Sequence, residues 1–256
     1  MGFNKSLNNA FSFLQFIEKN IKRSKVKMVS EKQNTELLRL FQLVSPSLPI
    51  GAYTYSQGLE AAIENGDVKD EESAHAWIAE SLSIVADFEA PIFWRLLKAF
   101  SNRDEQSVTC WTERFLAARD TNEFRAETIQ MGYSLNKLVL DLRIADTSLQ
   151  KIMSNQVEIP LPTAFAYAAI ALEISHEAAM LGLLFSIVEN QVLVCVKSVP
   201  LGQVSGQRLL ISLHPKIEAI AHHAQNLPDN ELSNWAPGLS ILSMQHEVQY
   251  SRVYRS

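Results

Sequence analysis

The sequence predicts an all-α protein, a single-domain bundle of about ten helices over residues 35–256, with a flexible basic extension over residues 1–34. Three observations carry that prediction. Apolar residues recur at helical spacing in one segment after another, from Leu37, Leu40, Phe41 and Val44 to Ile217, Ile220, Ala221 and Ala224. Nine glycines and nine prolines in 256 residues are too few for a loop-rich chain. The valine-rich run from Val192 to Val199 suits a strand, but no partner strand appears elsewhere, so context favours helix.

Residues 1–27 carry Lys5, Lys19, Lys22, Arg23, Lys25 and Lys27 against the single acid Glu18. Phe11–Ile17 imitates the apolar core of a secretory signal poorly and no small-residue cleavage site follows. The segment reads as a flexible arm upstream of a second candidate start, Met28.

A first helix is expected from Thr35, placed as its N-cap. Pro46, Pro49 and Gly51 end it in a rigid elbow, Ser45–Glu60. A short helix from about Tyr55 to Asn65 should close on Gly66 as a left-handed cap. The acids Asp70, Glu71 and Glu72 suit the N-terminus of a helix bearing Ala74, Trp77, Ile78, Leu82 and Val85. Pro91 fits the first turn of the next helix, and Asp104 and Thr121 fit as caps of two more. Pro160 and Pro162 reset the chain before an alanine-rich helix, Thr163–Leu172, whose small side chains permit close approach of a neighbour. One buried helix should run from Ser175 to Val199. After Pro200–Gly202 a helix carrying Leu209, Leu210 and Leu213 should end where Pro215 begins another.

Composition narrows the function classes. A net charge of -5 and a pI near 5.7 leave no electrostatic footprint for nucleic acid or an anionic membrane. Pro160–Leu172, the longest apolar stretch free of charge in this reading, is shorter than the roughly 20 residues of a membrane span, so no transmembrane helix is expected. Cys110 and Cys195 stand far apart among apolar residues, as inert thiols of a reducing, cytoplasmic compartment do.

The chain shows no glycine-rich phosphate loop, no dinucleotide fingerprint and no serine-hydrolase elbow, and neither cysteine has an activating signature. No catalytic residue and no cofactor are expected. Of the six histidines only His222 and His223 are adjacent, and helical neighbours point about 100° apart, poor geometry for chelation. No metal site is assigned.

Polar and aromatic groups concentrate instead in the elbow, with Tyr53, Tyr55, Ser56 and Gln57, and in the last third. There Val199-Pro-Leu-Gly-Gln-Val-Ser-Gly-Gln-Arg208 is followed by the run from Ser243 to Ser256, with Tyr250, Arg252, Tyr254 and Arg255. Rings and guanidiniums of this kind dominate interface hot spots.

Four ordered blocks make the chain resemble the UreF family of urease accessory proteins. They are Leu48-Pro-Ile-Gly-Ala-Tyr-Thr-Tyr-Ser-Gln-Gly-Leu-Glu60, Arg119 to Leu135 with Gln130-Met-Gly-Tyr-Ser-Leu, Val199 to Arg208, and Met244-Gln-His-Glu-Val-Gln-Tyr-Ser-Arg252 to the end. The resemblance implies an all-α homodimer without a catalytic centre. It implies binding to UreD (also called UreH), forming a platform for the GTPase UreG in nickel insertion into apo-urease. It marks as partner-binding positions Pro49, Gly51, Tyr53, Ser56, Gly58 and Glu60 in the elbow. Gln203, Gly206 and Gln207 follow in the third block, and His246, Glu247, Tyr250, Ser251 and Arg252 in the tail. It favours Tyr53 over Tyr55 as the ring facing the partner, and the tail is expected to order only under that partner. Two other readings are direct regulation of GTP turnover by Arg252 or Arg255, and direct nickel binding through His222 and His223.

Overall fold

The computed structural model describes residues 31–255, and every regular element among them is helical. Residues 1–30, which hold most of the expected flexible extension, lie outside the described residues. The chain divides into two units, one ending at Arg39 and the other running from Leu40 to Ser256.

Helix α1 covers residues 31–43, so Thr35 sits inside it rather than capping it. Its hydroxyl donates to the Glu31 carbonyl at 3.0 Å, the back-bonding available to a threonine within a helix. The stripe expected on this helix is also shifted. Leu43 is buried and Leu40 and Val44 are packed inward, while Leu37 and Phe41 are exposed.

A single 3-10 turn, Ala52–Thr54, precedes α2 (Leu59–Glu64), which starts four residues later than expected. Tyr55 is extended, and Gln57 and Gly58 take left-handed backbone angles, φ 56° and 80°, which no helix accommodates. Gly66, at φ 81°, closes α2: its N–H reaches Ile63 and that of Asp67 reaches Ala62, the paired bonds of a Schellman motif.

Helices α5 (Glu105–Ala117) and α6 (Asn122–Leu142) begin just after their expected caps, α3 (Glu71–Asp87) begins within its acidic run, and α4 (Glu89–Ser101) holds Pro91 in its first turn. Asp70 accepts from Ser73 N at 2.9 Å and Ser73 Oγ accepts from Asp70 N at 3.0 Å, a capping box. Asp104 and Thr121 accept from Ser107 N and Phe124 N.

The sequence reading assigned nothing between Leu142 and Pro160, where α7 (Thr147–Ser154) is capped by Asp146. Helix α8 (Leu161–Ala171) packs against both α4 and α6, with Ala164, Ala166, Ala168 and Ala169 buried. Its entry is so close to α6 that a Cβ on Gly132 would lie 2.0 Å from the Ile159 carbonyl oxygen.

Helix α9 (His176–Ser198), not the shorter Pro160–Leu172 stretch, is the one described helix long and apolar enough to cross a membrane. Most of its apolar stretch is buried within the bundle. Helix α10 (Gln203–Asn226) runs unbroken through Pro215. An interior proline costs roughly 3 kcal/mol, but Leu209, Leu210 and Leu213 before it and Ile217, Ile220 and Ala224 after it are all buried. At about 1.5–3 kcal/mol for each fully buried aliphatic side chain, burial outweighs the lost bond. Helix α11 (Pro237–Glu247), also unassigned from the sequence, lies against α2 and α6.

Candidate functional site

The elbow is built around its own unpaired backbone. Its extended residues Tyr55 and Ser56 offer carbonyls that no helix satisfies, and α9 supplies the donors. Asn190 Nδ2 donates to Tyr55 O at 2.9 Å and Gln191 Nε2 donates to Ser56 O at 3.2 Å. Gln57 Nε2 donates to Glu127 at 3.0 Å while its carbonyl oxygen accepts from Gln191 at 3.2 Å. These bonds hold Gln57 in a backbone region that few non-glycine residues occupy.

Gly58 has a packing reason as well as a conformational one. A Cβ there would come within 3.2 Å of Leu239 Cδ1 on α11. The end of the first block therefore packs on α11, the helix that leads into the fourth.

At that meeting point His246 is wholly buried between two carboxylates. Its Nε2 lies 3.0 Å from Glu60 Oε2, and its Nδ1 lies 3.0 and 3.1 Å from the two oxygens of Glu123. Ionised carboxylates only accept, so the ring satisfies both when both its nitrogens carry hydrogen. Arg252 Nη1 donates to Glu123 Oε1 at 3.1 Å. Beneath them the hydroxyls of Thr121 and Ser243 share a buried 2.8 Å hydrogen bond.

Glu60 also holds the chain end. Val253 N donates to its Oε1 at 2.7 Å and Tyr254 N to its Oε2 at 2.9 Å. Arg255 N donates to Thr54 O at 2.7 Å, and the Tyr254 ring is buried. The tail is thus ordered on the elbow of its own chain, contrary to the expectation that a partner must cover it first. Three backbone hydrogen bonds and a buried ring offset its ordering entropy.

The two elbow tyrosines divide as their exposure requires. Tyr55 is buried, whereas Tyr53 is half-buried and donates to Glu189 Oε2 at 3.2 Å. Burial, then the nearby Glu189 charge, raises the Tyr53 phenol well above its ordinary range. Burial also raises Glu189, opposed by the bond from Tyr53.

Of the remaining expected positions, Pro49, Gly51, Tyr250, Ser251 and Arg252 are exposed and Glu247 is half-buried. Ser56, Gly58, Glu60 and His246 are buried and shape the surface from within. Gln203 and Gln207 are exposed at the start of α10, and Gly206 is buried there because a Cβ would lie 2.5 Å from Val196 Cγ2 of α9. No described contact joins this third block to the elbow and tail.

Sequence reasoning did not single out Glu123, although it lies in the second block. It follows the Thr121 cap in the first turn of α6, where an acid is ordinarily read as dipole matching. Beside Gln57, a cavity of about 70 Å³ is lined by Glu89, Arg119, Glu127 and Gln191 among others. Burial raises the Glu89 carboxyl, opposed by Arg119, whose Nη1 stands 3.8 Å away. Among the described residues no group of three or more histidine, cysteine or acidic side chains could hold a metal ion.

Comparison with known proteins bears on the family of the chain. The UreF family model matches residues 68–214. A urease accessory protein UreF of Nitrosospira multiformis is 68% identical over 225 residues, which cover 88% of this chain and all of the relative. A UreF of Janthinobacterium sp. is 67% identical over the same shares, and one of Dechloromonas aromatica 46% identical over 86% of this chain and 98% of its own. The chain belongs to the UreF family of urease accessory proteins.

Proposed function

We propose that this maturation factor binds UreD/UreH through the surface built by the elbow, α11 and the tail. In that complex it recruits the GTPase UreG for nickel insertion into apo-urease, in the cytoplasm and as a homodimer. The chain itself contributes a shaped surface and no reaction chemistry. One observation carries this reading: Ile241, Met244, Val248, Tyr250 and Val253 are all exposed on α11 and the tail, as is Arg252. Exposed apolar and aromatic groups on one short segment that also carries an exposed arginine suit a protein partner.

The buried network supports the same reading, because it fixes the backbone beneath those side chains before any partner arrives and so lowers the cost of binding. Co-purification of the chain with UreD/UreH, followed by capture of UreG, tests the proposal. A folded chain that retains neither protein would refute it.

A further inference from the structure

We infer that Asn190 and Gln191 of α9 are positioning residues, which hold a strained turn of the elbow, Ser56–Leu59, in the form that the partner surface requires. The inference rests on the proposed docking of UreD/UreH on the elbow, α11 and the tail.

The turn carries an unusual backbone. Leu59 N donates to Ser56 O at 3.2 Å and closes it, while Gln57 and Gly58 between them both have positive φ, 56° and 80°. Turns with two such central residues are dominated by glycine, asparagine and aspartate, whose side chains suit that conformation. Gly58 adopts it freely, whereas Gln57 must be held there.

Three successive residues of α9 hold the elbow. Glu189 accepts from Tyr53 at 3.2 Å, Asn190 donates to Tyr55 O at 2.9 Å, and Gln191 Nε2 donates to Ser56 O and to Gln57 Oε1, both at 3.2 Å. Gln57 Nε2 extends the connection to Glu127 of α6 at 3.0 Å. The Gln191 amide therefore fixes the turn at its first carbonyl and at its strained side chain together.

Both amides are poorly suited to their positions if helix packing is all they serve. Asn190 and Gln191 are 8% and 3% exposed, and Asn190 Oδ1 and Gln191 Oε1 accept no hydrogen bond from the described residues. A buried acceptor left unpaired is unfavourable, so an apolar side chain would pack better there. What the amides supply in return is donors to the elbow. Such a departure from local stability, at a strained turn, points to function. The function here is geometric. The turn leads into Gly58, packed on Leu239 of α11, and into Glu60, which holds the tail, so its backbone sets where both parts of the surface stand before a partner arrives.

Protection of the Leu59 amide against hydrogen exchange reads the turn in the chain alone, and titration with purified UreD/UreH reads its consequence for binding. Gln191→Met keeps the approximate volume and removes the donor. It should lower Leu59 protection and weaken UreD/UreH binding, each about tenfold, as loss of two hydrogen bonds from a preorganised loop predicts. Gln57→Ala and Gln57→Gly separate strain from side-chain contact: both lose the amide, but only glycine takes positive φ without penalty. Alanine should weaken both readouts roughly fivefold more than glycine. Unchanged Leu59 protection in Gln191→Met, or equal losses in the two Gln57 variants, overturns the inference. So does a fall in protection that leaves binding intact. Should Gln191→Met fail to fold, the two variants at the half-buried Gln57 still decide. A parent chain that binds no UreD/UreH refutes the proposed docking instead, and overturns with it the role assigned to the turn in that docking, while Leu59 exchange still reports whether α9 holds the turn.

Discussion

His246 on α11 and Glu60 on α2 meet through a 3.0 Å contact between Nε2 and Oε2, 186 residues apart in the chain. Glu60 accepts from that ring and from the Val253 and Tyr254 amides, so one carboxylate organises both the elbow and the tail. Glu60→Ala leaves three donors without their acceptor. The expected loss is about 3–5 kcal/mol, as for other broken buried pairs. In thermal unfolding that corresponds to a fall of roughly 10 °C for a chain of this size. A variant melting within about 2 °C of the parent would show that the network contributes little.

Arg252→Ala should act on recruitment rather than on folding. The Arg252 side chain is 40% exposed, and Glu123 keeps its contacts with His246 when the guanidinium is gone. A stability change of about 1 kcal/mol or less is expected in urea titration. Capture of UreD/UreH and UreG should nevertheless weaken. Full recovery of both partners would argue against a contact role for this arginine.

Two glycines separate steric from conformational demands. Gly132→Ala places a Cβ against the backbone of Ile159 and Pro160, which is not free to rotate away. About 3 kcal/mol or more should be lost. Gly66→Ala meets no atom within 4 Å and costs only the left-handed backbone penalty at φ 81°, about 1–2 kcal/mol. Denaturation midpoints of the two variants should therefore rank Gly66→Ala above Gly132→Ala.

Glu89→Gln should change stability in a pH-dependent way. Burial raises the Glu89 carboxyl despite Arg119, so the folded state retains its proton to higher pH than the unfolded chain. Its contribution is fully present below the ordinary glutamate range, near pH 4, and is lost as pH rises through the raised folded value. The glutamine variant should match the parent near pH 4 and exceed it near pH 7. Equal stability at both values would show that the site solvates the carboxylate well.

Much of the helical framework was legible because its signals are local. Asp70, Asp104 and Thr121 each reach the N–H three residues ahead, and that short range is why capping residues can be read from sequence. Thr35 and Pro215 mislead for the same reason. Each carries a strong local signal, yet α1 is already helical at residue 31 and burial along both halves of α10 overrides its proline. Helices α7 and α11 begin at Asp146-Thr147 and Ala236-Pro237, start signals that the sequence reading left unused. The valine run of α9 suits strand as well as helix, and its packing inside the bundle settles the choice.

Residue order alone determined the family, the helical class and most helix starts, because four motif blocks, apolar period and capping chemistry are all written along the chain. Only the tertiary structure decided that His246, Glu60, Glu123 and Arg252 form one network. It also decided that the tail closes on its own elbow, burying Glu60 and His246 and leaving Tyr250 and Arg252 exposed. The physical reason is distance along the sequence: a hydrogen bond between residues more than a hundred positions apart leaves no period and no local motif. Its partners are chosen by the packing of α2, α6 and α11, which bring the two carboxylates to either side of one imidazole ring.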